Sequence, residues 1–238
     1  MNGSISKLRI SVPACVAALV GACALAACEP AAPPPRVWPA GTVFALDGAP
    51  ISAAEIDAVG DIVAQFDPDS VPAQLRRVAL TNVILPRTAG ILLAGPKREE
   101  ARAKALECQR LLVAGTALDG PLDGTLAGVV RSTREGSVTN LGFEAWAYAM
   151  TAPIGVWSAP LETVGAFELV RVDERSSAGS PREMRFTVST WVVPYVDPEN
   201  PRGVIEERLA RAKLEFVDPE WADIVPEYWK HRLRGGKP

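Results

Sequence analysis

Apolar and polar residues change rhythm several times along this chain, and each rhythm predicts an element. Ile56, Val59, Ile62, Val63 and Phe66 recur at the spacing of one helix face, as an amphipathic helix packed on a core requires. Ser52, with Glu55 three residues later, forms a capping-box pattern at its start, and Asp67-Pro68-Asp69 stops the run. Just ahead, Val43 to Leu46 reads as a strand ending at the turn dipeptide Asp47-Gly48. A second helical pattern starts near Pro72. It carries Leu75, Val78, Ala79 and Leu85 on one side and Arg76 and Arg77 on the other, with Pro86 expected to break or kink it.

Ile91-Leu92-Leu93 fits either the end of that helix or a short buried strand, whereas Lys97 to Ala114, charged first and apolar later, predicts a helix terminated by Gly115. Residues 116 to 141 scatter five Gly and Pro breakers among short apolar pieces, which predicts loops with one or two brief elements. Phe143 to Met150 fits a two-turn helix presenting Phe143, Trp146, Ala147 and Met150. Strands are expected at Phe167 to Val172, ended by Asp173-Glu174-Arg175, and at Arg182 to Val193, where Met184, Phe186 and Val188 share a side. Helical patterns at Gly203 to Phe216 and Pro219 to Arg232 complete an α+β chain in which C-terminal helices return to the first helical segment.

The first forty residues follow a different logic. Lys7 and Arg9 precede an uncharged run from Val12 to Ala27, the length of an export-signal core and short for a bilayer span. That run ends in Leu25-Ala26-Ala27-Cys28, and a second cysteine site, Val20-Gly21-Ala22-Cys23, fits less well. Removing residues 1 to 27 would leave 211 of the 238 residues, enough for one compact domain or two small ones. It would also leave five more acids than bases, which argues against a nucleic-acid partner. Residues 28 to 41 contain Pro30, Pro33, Pro34, Pro35 and Pro39, a tether composition able to reach roughly 40 Å if extended.

Candidate chemistry is sparse. Cys108 is the one cysteine outside the signal and the lipidation position, so it reads as a small buried residue. The single histidine, His231, is far from it and from any serine motif. Neither a phosphate loop nor metal-ligand spacing occurs, and no cofactor or metal is expected.

The residues Leu25 to Cys28 behind a charged start and an apolar run resemble the lipobox of bacterial lipoproteins. This implies acylation of Cys28 and anchoring to a membrane, facing the periplasm or exterior. Val43 to Asp57, with its strand, Asp-Gly turn, Pro50-Ile51-Ser52 and helix start, resembles the opening of the chaperone domain in periplasmic foldases of the SurA and PrsA type. Leu141-Gly142-Phe143, Ala147 to Met150, Gly155, Ser158, Pro160, Glu162-Thr163 and Leu169 to Val172 resemble the second half of a parvulin prolyl isomerase domain. The resemblance covers about half of the chain after Cys28.

It implies a helical chaperone-like segment at 42–96, a degenerate parvulin-like domain at 97–175 and a C-terminal strand and helices at 182–238. In the family the last strand keeps a histidine where this chain has Glu168, beside Phe167 and near Met150. A second histidine, on the family's first strand, has no counterpart; if that strand is Ile91 to Leu93, Gly90 occupies the place. The expected activity is therefore a chaperone or binding scaffold for unfolded or exported polypeptides, with weak or no isomerase activity and with Trp221, Ile224, Tyr228 and Trp229 as client-binding candidates. Two alternatives stand beside it: an active isomerase with a site rebuilt on Glu168 or Cys108, and a structural envelope lipoprotein with one dedicated partner.

Overall fold

The computed structural model describes residues 36–116, 118, 124–176, 180–197, 199–227 and 229. Cys28, Tyr228 and His231 lie outside the described residues. From Trp38 onward they belong to one compact unit of α+β architecture.

β1 (Thr42–Leu46) and β2 (Ala49–Ser52) form an antiparallel hairpin. Asp47 and Gly48 between them both take positive φ, 46° and 85°, as a two-residue turn matched to strand twist needs. Ser52 caps α1 (Ala53–Phe66), its hydroxyl accepting from the Glu55 N–H at 3.2 Å. The Glu55 carboxylate is held by Arg87 at 2.7 Å. On the predicted stripe Ile56, Val59 and Val63 are buried, while Ile62 and Phe66 are partly so.

Pro86 does not break the second helix. α2 runs from Pro72 to Ala94, and its middle, Ala79–Ile84, is π-helical. Pro86 has no N–H to offer the carbonyl four residues back, and the preceding turn is widened, Leu85 donating to the Leu80 carbonyl. Ile91 to Leu93 is helical, so the strand that the resemblance allowed there is absent. This helix is long and apolar enough to span a bilayer, yet over half of its apolar window is buried inside the protein, the mark of a core helix. α3 (Pro96–Val113) follows. It closes on Gly115, φ 74°, with Gly115 donating to Leu112 and Thr116 to Leu111, a Schellman ending.

Within 116–141, where loops with one or two brief elements were expected, residues 130–136 form a seven-residue strand, β3 (Val130–Gly136). α4 (Val138–Leu141), α5 (Phe143–Thr151), β4 (Leu161–Glu162), β5 (Ala166–Arg175) and β6 (Phe186–Pro194) complete an antiparallel four-stranded sheet of order β3-β6-β5-β4. The C-terminal strand therefore joins this sheet, beside β5. β5 runs on through Asp173-Glu174-Arg175, with a register shift between Val172 and Glu174. One face packs under α5 through Trp146, Val170, Val172 and Val188. The other meets α3 through Cys108, Leu169 and Trp191. The buried face of α5 is Ala145, Trp146 and Ala149; of the predicted set Trp146 lies on it, while Phe143, Ala147 and Met150 are partly buried.

α6 (Pro201–Arg211) supplies most of the helix expected at 203–216, and the end of that stretch and the start of the one expected at 219–232 are other elements. Leu214–Phe216 is a strand, β7, and Pro219–Ile224 a 3₁₀ turn. β7 pairs antiparallel with β1, making the sheet β2-β1-β7. Asp47 fastens this closure, accepting from the Lys213 N–H at 2.7 Å and ion-pairing with Arg208 at 2.5 Å. The largest core draws on β1, α1, α2, α6 and the residues after β7 together.

Candidate functional site

The widened turn of α2 separates buried from exposed side chains within four residues: Thr81, Val83 and Ile84 are buried and Asn82 is exposed. Two cavities open along it, and both have Asn82 and Val164 in their walls.

The smaller, about 270 Å³, is bounded by Asn82 and Val83 of α2, the start of α5, Arg134 of β3 and Glu168 of β5. Glu168 shares a face of the sheet with Val170 and Val172, since side chains alternate along a strand. Arg134 sits opposite Val188 and Glu168 opposite Val192, so the arginine reaches diagonally across β6. Its guanidinium donates to Glu168 at 2.6 Å and to the Leu141 carbonyl at 2.8 Å. Glu168 is thus an ion-pair partner that fixes Arg134 and the entry to α5.

Glu144, in the first turn of α5, is the unusual group. Its side chain is 16% exposed, its Oε1 has no hydrogen bond, and Arg87 stands 3.9 Å away while bound to Glu55 at 2.7 Å. Burial raises its pKa, and the negative charge of Glu168 adds to this; its own backbone N–H and Arg87 offset part of the rise. Arg87 therefore faces acids on α1 and α5, tying the helical layer to the sheet layer.

The larger cavity, about 640 Å³, lies between α2 and α6. Pro86, Val164, Pro201, Ile205, Leu209 and Trp229 give it an apolar lining, with the exposed Arg202–Glu206 pair, 2.9 Å, at its rim. In the smaller cavity Arg134 and Glu168 are bound to each other while Glu144 Oε1 has no hydrogen bond, and the Thr163 hydroxyl donates to the Ala166 carbonyl at 3.1 Å.

The sequence-derived candidates are dispersed. Glu168 lies in the smaller cavity and Trp229 in the larger. Phe167 points to the opposite face from Glu168, into the main core, edge-on to Tyr195 at 5.5 Å. Met150 packs under α5 against the second core. Trp221 is half-buried beneath Arg76, 4.7 Å from its ring, and Ile224 is buried. Cys108 is fully buried, and burial pushes its thiol up to about 11. Arg134, Glu144 and Asn82 were not singled out by sequence: Glu144 looks like an ordinary acid at a helix start, and Arg134 falls in a stretch with no apolar rhythm.

The chain was compared with protein-family models, curated proteins and solved structures, and none of them matches it.

Proposed function

We propose that this chain is a lipoprotein scaffold of foldase type, anchored through Cys28, that holds extended segments of unfolded or exported polypeptide and has weak or no prolyl isomerase activity. The observation that carries the reading is the pair of cavities meeting at Asn82 and Val164, one apolar and one polar. An extended polypeptide presents apolar side chains and unpaired main-chain groups together, and a groove with both kinds of wall suits it.

The parvulin-like part of the proposal is supported by β5 being internal in a four-stranded antiparallel sheet, with α5 ahead of it in sequence. The inner neighbour of β5 is β6, which follows it in the chain, so a relation to parvulins requires the first strand to have been replaced from the C-terminal side. Glu168, tied to Arg134, then stands as a structural ion pair where the family keeps a histidine. Membrane attachment follows from the pattern ending at Cys28, and the Pro-rich residues after it would hold the groove away from the lipid.

Photo-crosslinking residues placed at Val164 and at Trp229, with the exposed Val113 as control, test the groove against a reduced, carboxymethylated protein. Capture at 164 and 229 but not at 113 is expected. Equal capture at all three positions, or capture in cells of one stoichiometric partner, would sink the client-binding reading. A proline-peptide assay should show little rate enhancement; a large one abolished by Glu168→Ala would restore the enzyme alternative.

A further inference from the structure

The two cavities share a waist, and both of its walls keep hydrogen-bonding groups uncommitted. On one side stands Asn82, exposed on the widened turn of α2. Its carboxamide is held along one edge: Thr81 Oγ1 lies 3.1 Å from Asn82 Oδ1 and donates to the Arg77 carbonyl at 2.8 Å. A carboxamide carries two N–H groups and two lone pairs. Whichever way it is turned, one contact with a hydroxyl leaves at least one N–H and one lone pair without a partner.

Across from it stands Val164. Val164 and Gly165 are the two-residue turn between β4 and β5: the Thr163 N–H donates to the Ala166 carbonyl at 2.9 Å, and Gly165 takes φ 97°. The first residue of such a turn uses neither its N–H nor its carbonyl to close it. Among the described residues, the main-chain groups of Val164 enter no hydrogen bond. The turn is nevertheless seated firmly, since the Gly165 carbonyl accepts from the Tyr195 and Val196 N–H groups at 2.9 and 3.0 Å. Elsewhere in the walls Arg134 is committed to Glu168, the Thr163 hydroxyl to Ala166 and Arg202 to Glu206, and the unbonded oxygen of Glu144 is enclosed by protein.

We propose that Asn82 and Val164 read the main chain of the segment held in the groove, and that the residue lying in the waist cannot be proline. An extended chain carries N–H and carbonyl groups along both edges. One edge meets the main chain of Val164 and the other the Asn82 carboxamide, while apolar side chains enter the larger cavity. Proline has no N–H to give either wall. This selectivity rests on the client-binding role proposed above and adds to it the kind of residue that the groove refuses.

Fluorescence anisotropy with the full chain in detergent micelles, and empty micelles as blank, reads it out. One probe is a labelled octapeptide of alternating leucine and serine. The other has ester links at its central residues, which keep the shape and the carbonyls but remove the N–H donors. Wild type should bind the amide probe about tenfold more tightly than the ester. Asn82→Leu, similar in size but without a hydrogen-bonding group, should weaken the amide probe about tenfold and narrow its advantage. Asn82→Asp keeps an acceptor for the N–H and should retain the preference; it tests the position again should the leucine variant disturb folding, which circular dichroism reports. Wild type binding both probes equally, or Asn82→Leu unchanged in affinity and preference, overturns the main-chain reading and leaves client binding standing. Binding of neither probe to wild type overturns client binding and the selectivity with it.

Discussion

Replacing Glu144 by glutamine isolates the cost of one buried charge. The carboxyl is 16% exposed, one oxygen is without a hydrogen bond, and Arg87 at 3.9 Å is committed to Glu55. A buried polar group left unpaired costs about 1–3 kcal/mol, more when charged. The attraction of Arg87 returns part of that, so a net gain of about 1 kcal/mol is expected for Glu144→Gln at pH 7. Because the folded-state pKa is raised, the folded protein holds the proton more tightly than the unfolded chain. The carboxyl is harmless below its ordinary value of about 4.5 and becomes costly as pH rises through the raised value. The advantage of the glutamine variant should therefore grow from pH 5 to pH 8 and vanish toward pH 4.5. Urea unfolding of both proteins across that range measures it. A variant less stable than wild type at pH 8, or an advantage that does not change with pH, would refute the account.

Two glycines on neighbouring helices should respond oppositely to alanine. A methyl at Gly60 meets nothing closer than 3.9 Å, so Gly60→Ala should stabilise by about 0.5–1 kcal/mol through helix propensity. At Gly90 it meets the Gly165 backbone at 3.3 Å and Ile205 at 3.5 Å, so Gly90→Ala should lose that gain or destabilise; thermal unfolding compares them. Trp146→Ala removes the largest fully buried side chain, which meets Phe66 edge-on at 5.1 Å, and should cost about 3–5 kcal/mol by denaturant titration. Cys108, buried and with its thiol raised to about 11, should resist alkylation at pH 8 in the native protein and react on unfolding, as peptide mass mapping at that residue would show.

What could be read from sequence was what is encoded locally. α1 announces itself because its cap, its stripe and its stop lie within sixteen residues of one another. The ending of α3 is legible for the same reason, in one glycine. β3 was hidden: Arg131, Thr133 and Glu135 face solvent, while Ser132 and Arg134 on the other side hydrogen-bond to Thr190 and Glu168. Neither face shows the apolar alternation that betrays a strand. The segment 214–216 carries apolar residues that also suit a helix, and only the edge of β1, distant in sequence, makes it a strand. The cavity escaped notice because Asn82, Arg134, Glu144 and Glu168 come from four separate elements and share no motif.

The pairing of Phe44 with Phe216 joins positions 172 residues apart. Synthesis from the N-terminus delivers the hairpin before its partner strand, so the central strand of that sheet has one side unfilled while the residues between them emerge. Nucleating the large core early is thereby discouraged, since the loop to be closed is long and its reward arrives late. Loss of β7 would strip this central strand of one of its two neighbours. The timing of maturation is thus written into which strand sits in the middle.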